Sequence, residues 1–152
     1  MIQDAAAIAT AVGVLFALIG IRQVQRQRLR QFEDFYVARY WKIMDQFSLR
    51  VLRGNGTGQI SRDDEKAVYG YLRLCEDEFD LRREGWISNS SWIFWTDGML
   101  AQLERWPFIE IWEKIRPEQF QNLCEFWADH KYDPIEIGRL RVWLRGLNRR
   151  GL

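Results

Sequence analysis

The chain opens on an apolar run in which no position from Ala5 to Ile21 is charged and Thr10 is the one polar side chain. Such a segment is apolar on every face, unlike a helix at the surface of a globular domain. As a helix it spans ~25 Å, at the short end of what crosses a bilayer. Residues 1–21 are therefore expected to form a transmembrane anchor. A cleaved secretory signal fits less well, because no lysine or arginine precedes the run and no small-x-small site closes it. After Arg22 the pattern changes. Leu29, Phe32, Tyr36, Tyr40, Ile43, Phe47 and Val51 recur at helical spacing, with no glycine or proline between Ile21 and Gly54. One long helix is predicted through about Arg53, so that residues 22–53 extend ~48 Å beyond the anchor. Phe35, Trp41 and Met44 widen its apolar face, which fits packing against the rest of its own domain.

The run "GNGTGQ" breaks this helix, and residues 54–60 read as a glycine-rich linker. It lacks the preceding strand and the following Gly-Lys-Ser/Thr of a phosphate-binding loop. A helical domain is expected over 61–152. Ser61 and Asp64 read as a capping box opening a helix that stops before Gly85. Ser88 reads as the N-cap of the next helix, with Trp92, Trp95, Met99 and Leu103 on one side. Pro107 opens a short helix to about Lys114. Pro117 opens another, carrying Phe120, Leu123, Cys124 and Trp127. Asp133-Pro134 starts the last, with Ile137, Leu140, Trp143, Leu144 and Leu147 inward. No segment alternates long enough to read as a strand.

Charge orients the expected anchor. Arg22, Arg26, Arg28 and Arg30 crowd its C-terminal flank and Asp4 lies on the other. The positive-inside rule then places the N-terminus outside and residues 22–152 in the cytoplasm. The four arginines are candidates for lipid head-group contact. On that side of the membrane the sequons at Asn55 and Asn89 would go unused. Ala5, Ala9, Gly13 and Ala17 recur at every fourth position, a small-residue stripe along which transmembrane helices self-associate.

Composition adds limits more than leads. The chain has 152 residues and a net charge of +1, so any electrostatic function is local. Eight tryptophans and nine phenylalanines predict an aromatic-rich core. The two cysteines, Cys75 and Cys124, fall in helical patterns and read as reduced thiols.

Candidate chemistry centres on "LCEDEFDLRRE". Glu76 and Asp80 lie one turn apart and Glu78 stands off their face. Paired carboxylates with a Glu-x-x-His partner bind metals in helical bundles, but His130, the single histidine, lacks that spacing. The plain reading is ion pairing with Arg73, Arg82 and Arg83 on a solvated face, or carboxylates bonded to indole N–H groups. A metal-dependent enzyme using Glu76, Glu78 and Asp80 stays as one alternative, and a tethered phosphate- or nucleic-acid-binding module as another. Cys124 and His130 would point apart on one helix, and one histidine supplies little general-base capacity near neutral pH. Arg141, Arg145 and Arg149 form a stripe that could meet phosphate, although cations also favour helix C-termini and no aromatic platform is interleaved. Neither nucleic-acid binding nor a cofactor is expected.

The stretch from Tyr71 to Ile115, "YLRLCEDEFDLRREGWISNSSWIFWTDGMLAQLERWPFIEIWEKI", resembles a recurrent pattern in small bacterial proteins of uncharacterised function. Those carry an N-terminal membrane helix, an acidic helix, a Gly-Trp-Ile-Ser turn and a tryptophan-rich helix. The resemblance implies a bacterial inner-membrane protein, offers no activity, and makes Trp86, Trp92, Trp95 and Trp112 architectural. The sequence thus predicts an all-α chain: a single-pass transmembrane helix continuing into a long cytoplasmic helix, packed with four or five shorter helices. Its expected role is a non-enzymatic scaffold, sensor or effector at the membrane. Its expected partners are the bilayer and a second copy or another membrane protein.

Overall fold

The structure, a computed structural model, describes residues 2–54 and 56–138, with side chains in the first helix described at Thr10 and from Val12 onward. Among these residues the fold is entirely helical. Helix α1, Ile2–Met44, is followed by the single turn α2, Leu49–Leu52, then α3, Arg62–Arg83, α4, Asn89–Leu103, α5, Phe108–Gln119, and α6, Gln121–Ala128.

The expected membrane span is corrected. Among the described residues no helix is long and apolar enough to cross a membrane. The apolar run of α1 ends at Ile21, where Arg22 follows. The helix then runs on through Arg26, Arg28 and Arg30. The single-pass anchor over 1–21 and the placement in a bacterial inner membrane, N-terminus outside and remainder cytoplasmic, both lapse with the span.

Helix α1 also ends sooner than its periodicity predicts, at Met44 instead of about Arg53. Ser48 adopts an extended conformation and its N–H donates to Asp64 Oδ1 at 2.7 Å. The turn lets both Phe47 and Val51 reach the core. Asp64 serves two junctions, because its other oxygen accepts from the Ser61 hydroxyl at 2.7 Å while Ser61 Oγ caps the Asp64 N–H. Burial pushes the Asp64 carboxyl up. The Ser48 and Ser61 hydrogen bonds, with Arg50 nearby, outweigh that and hold it below its ordinary value.

Helix α3 is central and packs against α1, α5 and α6. Phe79, in its last two turns, meets the rings of Trp92, Phe126 and Tyr132 at 5.0, 5.4 and 5.9 Å. The helix closes at Gly85, whose φ of +73° is the left-handed C′ conformation expected of it. Ser88 caps α4 as predicted, and its own N–H donates to Glu33 of α1 at 2.7 Å. The glycine-rich loop is more than a flexible link. A Cβ on Gly56 would lie 1.9 Å from the Trp106 ring, so only glycine lets the backbone come this close.

Two helix starts differ from expectation. Pro117 lies inside α5, and α6 begins after Phe120. Asp133-Pro134 opens no helix over residues 133–138. Asp133 instead pairs with Arg82, and the Glu136 N–H donates to the Arg83 carbonyl at 3.1 Å, so this segment is pinned to the end of α3. Leu140, Trp143, Leu144 and Leu147 lie outside the described residues.

Candidate functional site

Helices α1, α3 and α4 enclose a cavity of about 320 Å³. Helix α1 lines it with Val37, Tyr40 and Trp41, α3 with Tyr71, Leu74 and Glu78, and α4 with Phe94, Trp95, Gly98 and Met99. Each set keeps helical spacing, so each helix turns one face to the space. Tyr71, Glu78 and Met99 are buried at its inner end, whereas Trp41 and Phe94 are 59% and 77% exposed at its mouth. Tyr40 stands edge-on to Trp41 at 5.2 Å and to Tyr71 at 6.3 Å, which sets three rings in fixed mutual orientation. Gly98 contributes no side chain, and a Cβ there would meet nothing within 4 Å. The close backbone contacts of α4 are with α5, so the gap over α3 stays open.

Glu78 is the one acidic residue in this lining and only 7% exposed. Among the described residues no hydrogen bond or ion pair reaches its carboxylate. The nearest opposing charge is Arg39, already paired with Asp77 at 2.7 Å. Burial drives the Glu78 carboxyl well above its ordinary range, Arg39 opposes the rise and Asp77 adds to it. A carboxyl left without a partner in an aromatic cavity is costly to keep. Such groups gather at functional sites.

The rest of the acidic cluster does other work. Glu76 accepts from the backbone N–H groups of Asn122 at 2.9 Å and Leu123 at 3.1 Å, so it caps α6 from a neighbouring helix. Asp80 pairs with Arg83 at 2.6 Å. Glu76 and Asp80 also share Asn122, whose Nδ2 donates to them at 2.8 and 3.2 Å, while Glu78 faces the cavity. No group among the described residues could hold a metal ion. The expected solvated face is also corrected for two members, since Glu78 and Arg82 are buried. The indole N–H groups of Trp92, Trp106 and Trp112 are buried without an acceptor among the described residues, so these three bond no carboxylate. His130 is exposed beside Phe126 and Trp127, and Cys75 and Cys124 are free thiols.

The stripe along α1 is described only in part. Gly13 and Ala17 are exposed, and the side chains of Ala5 and Ala9 lie outside the described residues. Arg26, Arg28 and Arg30 are exposed and Arg22 is half-buried; their assignment to lipid head groups rested on the span. Arg141, Arg145 and Arg149 lie outside the described residues. Of the aromatic positions read as architectural, Trp92 and Trp112 are fully buried and Trp86 stacks on Phe32 at 5.1 Å. Trp95 has a second role as a wall of the cavity. The sequence singled out Glu78 without seeing its surroundings. The signal was available in the shared helical face of Tyr71, Leu74 and Glu78, an acid in line with apolar neighbours.

No protein-family model matches this chain, nor does any curated protein or solved structure match it. The resemblance over Tyr71 to Ile115 therefore assigns no family.

Proposed function

We propose that the chain is a non-enzymatic binding protein, a sensor or scaffold, whose ligand occupies the cavity between α1, α3 and α4. The observation that carries this reading is the cavity itself: aromatic walls around one buried carboxyl group that has no partner among the described residues. Binding sites for small molecules are concave, largely apolar and supplied with few polar groups. A volume of about 320 Å³ is at the small end of that class. The chemistry for turnover is thin, because the lining offers no histidine, cysteine or lysine beside Glu78. Occupancy would tie α1 to α4, two helices with the cavity between them, and so offers a route from ligand to the exposed length of α1. A thermal-shift screen of small apolar and amphiphilic molecules tests the reading. Ligands should raise the melting temperature of the full chain and lose that effect in Gly98→Leu, which fills the cavity from an open position. Equal shifts in both proteins would remove the cavity from the account.

A second reading, self-association, is favoured by Val12, Val14, Leu15, Phe16 and Ile19, which are 44–70% exposed along α1. Apolar patches of this kind commonly mark interaction surfaces. A second copy of the same helix would cover them.

A further inference from the structure

Resting on the reading of the cavity as a ligand site, we propose that its ligand is a small organic cation of the quaternary or alkylated ammonium class. Three features select this chemistry. First, the rings of Tyr40, Trp41 and Tyr71, with Phe94 and Trp95 opposite, surround the space from three helices. Aromatic faces carry negative potential and attract a cation placed over them, most strongly when water is excluded. Second, Glu78 supplies a carboxyl group at the inner end, and no hydrogen bond or ion pair reaches it among the described residues. Third, no lysine or arginine lines the cavity. Arg39, the nearest competing cation, is held by Asp77 at 2.7 Å.

An alkylated ammonium suits this site better than a primary amine or a metal ion. It brings charge with little demand for hydrogen bonds, and the lining offers few acceptors. An anion would meet Glu78 with nothing to offset it. A neutral apolar ligand would fill the volume but leave the buried carboxyl without a partner.

Binding of a cation favours the ionised form of Glu78, so affinity rises with pH until that group is ionised in the empty protein. The titratable and charged groups around it are Arg39, Tyr36 and Tyr40 of α1, and Tyr71, Cys75 and Asp77 of α3. The part of α4 that lines the cavity brings none. Burial raises Tyr71 and Cys75 well above their ordinary values, which favours their neutral forms.

Calorimetric titration of the full chain with choline, and with its uncharged isostere in which a tert-butyl carbon replaces the quaternary nitrogen, tests the proposal. Choline should bind about tenfold or more tightly than the isostere. Glu78→Gln should weaken choline several-fold, narrowing its advantage over the isostere, and leave the isostere unchanged. Equal binding of the two probes to the native chain would overturn the cation claim and leave the cavity a ligand site. Absence of binding by either probe at millimolar concentration, in protein that melts cooperatively, would overturn the cation claim. Both probes should lose affinity for Gly98→Leu, and undiminished binding of both to that variant would place the site elsewhere.

Discussion

Arg82 and Asp133, 51 residues apart, form a two-point ion pair with Nε–Oδ1 at 2.9 Å and Nη2–Oδ2 at 2.7 Å. Their side chains are 1% and 4% exposed. The remaining donors of Arg82 are used as well, with Nη1 giving to the Ile87 carbonyl at 2.9 Å and to Asn89 Oδ1 at 3.0 Å. Its guanidinium lies 5.7 Å from the Trp92 ring centroid. One side chain thus joins the end of α3, the turn into α4 and the segment after α6. Removing one partner of a buried pair strands the other charge, at a cost of ~3–5 kcal/mol. Asp133→Ala should lower unfolding free energy by about that amount in urea titration. A loss below ~1 kcal/mol would mean the pair is solvated in solution.

The sequence made Asp133 a helix cap and Arg82 a surface ion-pairing residue. Both readings were local, and local patterns do serve where the partner is a few residues away. Ser61, Gly85 and Ser88 are helix boundaries in the structure as they are in the sequence, because a cap bonds within its own turn. The end of α1 was not legible in this way. It depends on Asp64 reaching back to Ser48, a contact between elements that periodicity cannot register. The cavity shows the same limit. Its lining residues keep helical spacing on each of three helices, but nothing in one helix reveals that the other two face it. The apolar run before Arg22 was read by composition, which identifies exposed hydrophobic surface without identifying what covers it.

Gly56 gives a sharper steric test. Any side chain there must displace the Trp106 ring, which also carries the Arg50 guanidinium 4.8 Å from its centroid. Gly56→Ala should cost ~1–3 kcal/mol by overpacking. Indole fluorescence during unfolding reports it, and an unchanged midpoint would mean that the loop can move off the ring at no cost.

Glu78 sets a pH dependence of stability. Its folded value is raised by burial, so its contribution is present below the unfolded value and is lost as pH rises through the folded value. Glu78→Gln keeps the shape and removes the titration. The variant should melt a few degrees above the native chain at neutral pH, and the two should converge near pH ~4, the ordinary range of glutamate. A variant that melts lower at neutral pH would show that the carboxylate is stabilised by a partner.

Asp64 acts in the opposite direction. Its folded value is lowered by the Ser48 and Ser61 hydrogen bonds and by Arg50, against the upward push of burial. Its contribution is present above the unfolded value and is lost as pH falls through the folded value. Asp64→Asn should therefore be destabilised at neutral pH, with the deficit shrinking in acid. A deficit that does not change with pH would assign the loss to geometry instead of charge.

Self-association has its own test in water. Leu15 and Ile19 lie one turn apart on α1 and are 59% and 57% exposed. Leu15→Gln with Ile19→Gln should shift the sedimentation of the full chain towards monomer without changing its helicity. Identical sedimentation would leave this patch without a role in pairing.

The cavity is the central claim, and the tryptophans report on it directly. Trp41 and Trp95 line it, while Trp112 is fully buried and absent from its lining. Fluorine NMR of the chain labelled with fluorotryptophan, titrated with choline, observes all three indoles at once. The account predicts saturable shifts at Trp41 and Trp95, with Trp112 unmoved, and loss of those shifts in Gly98→Leu. Saturable shifts confined to other indoles would contradict it.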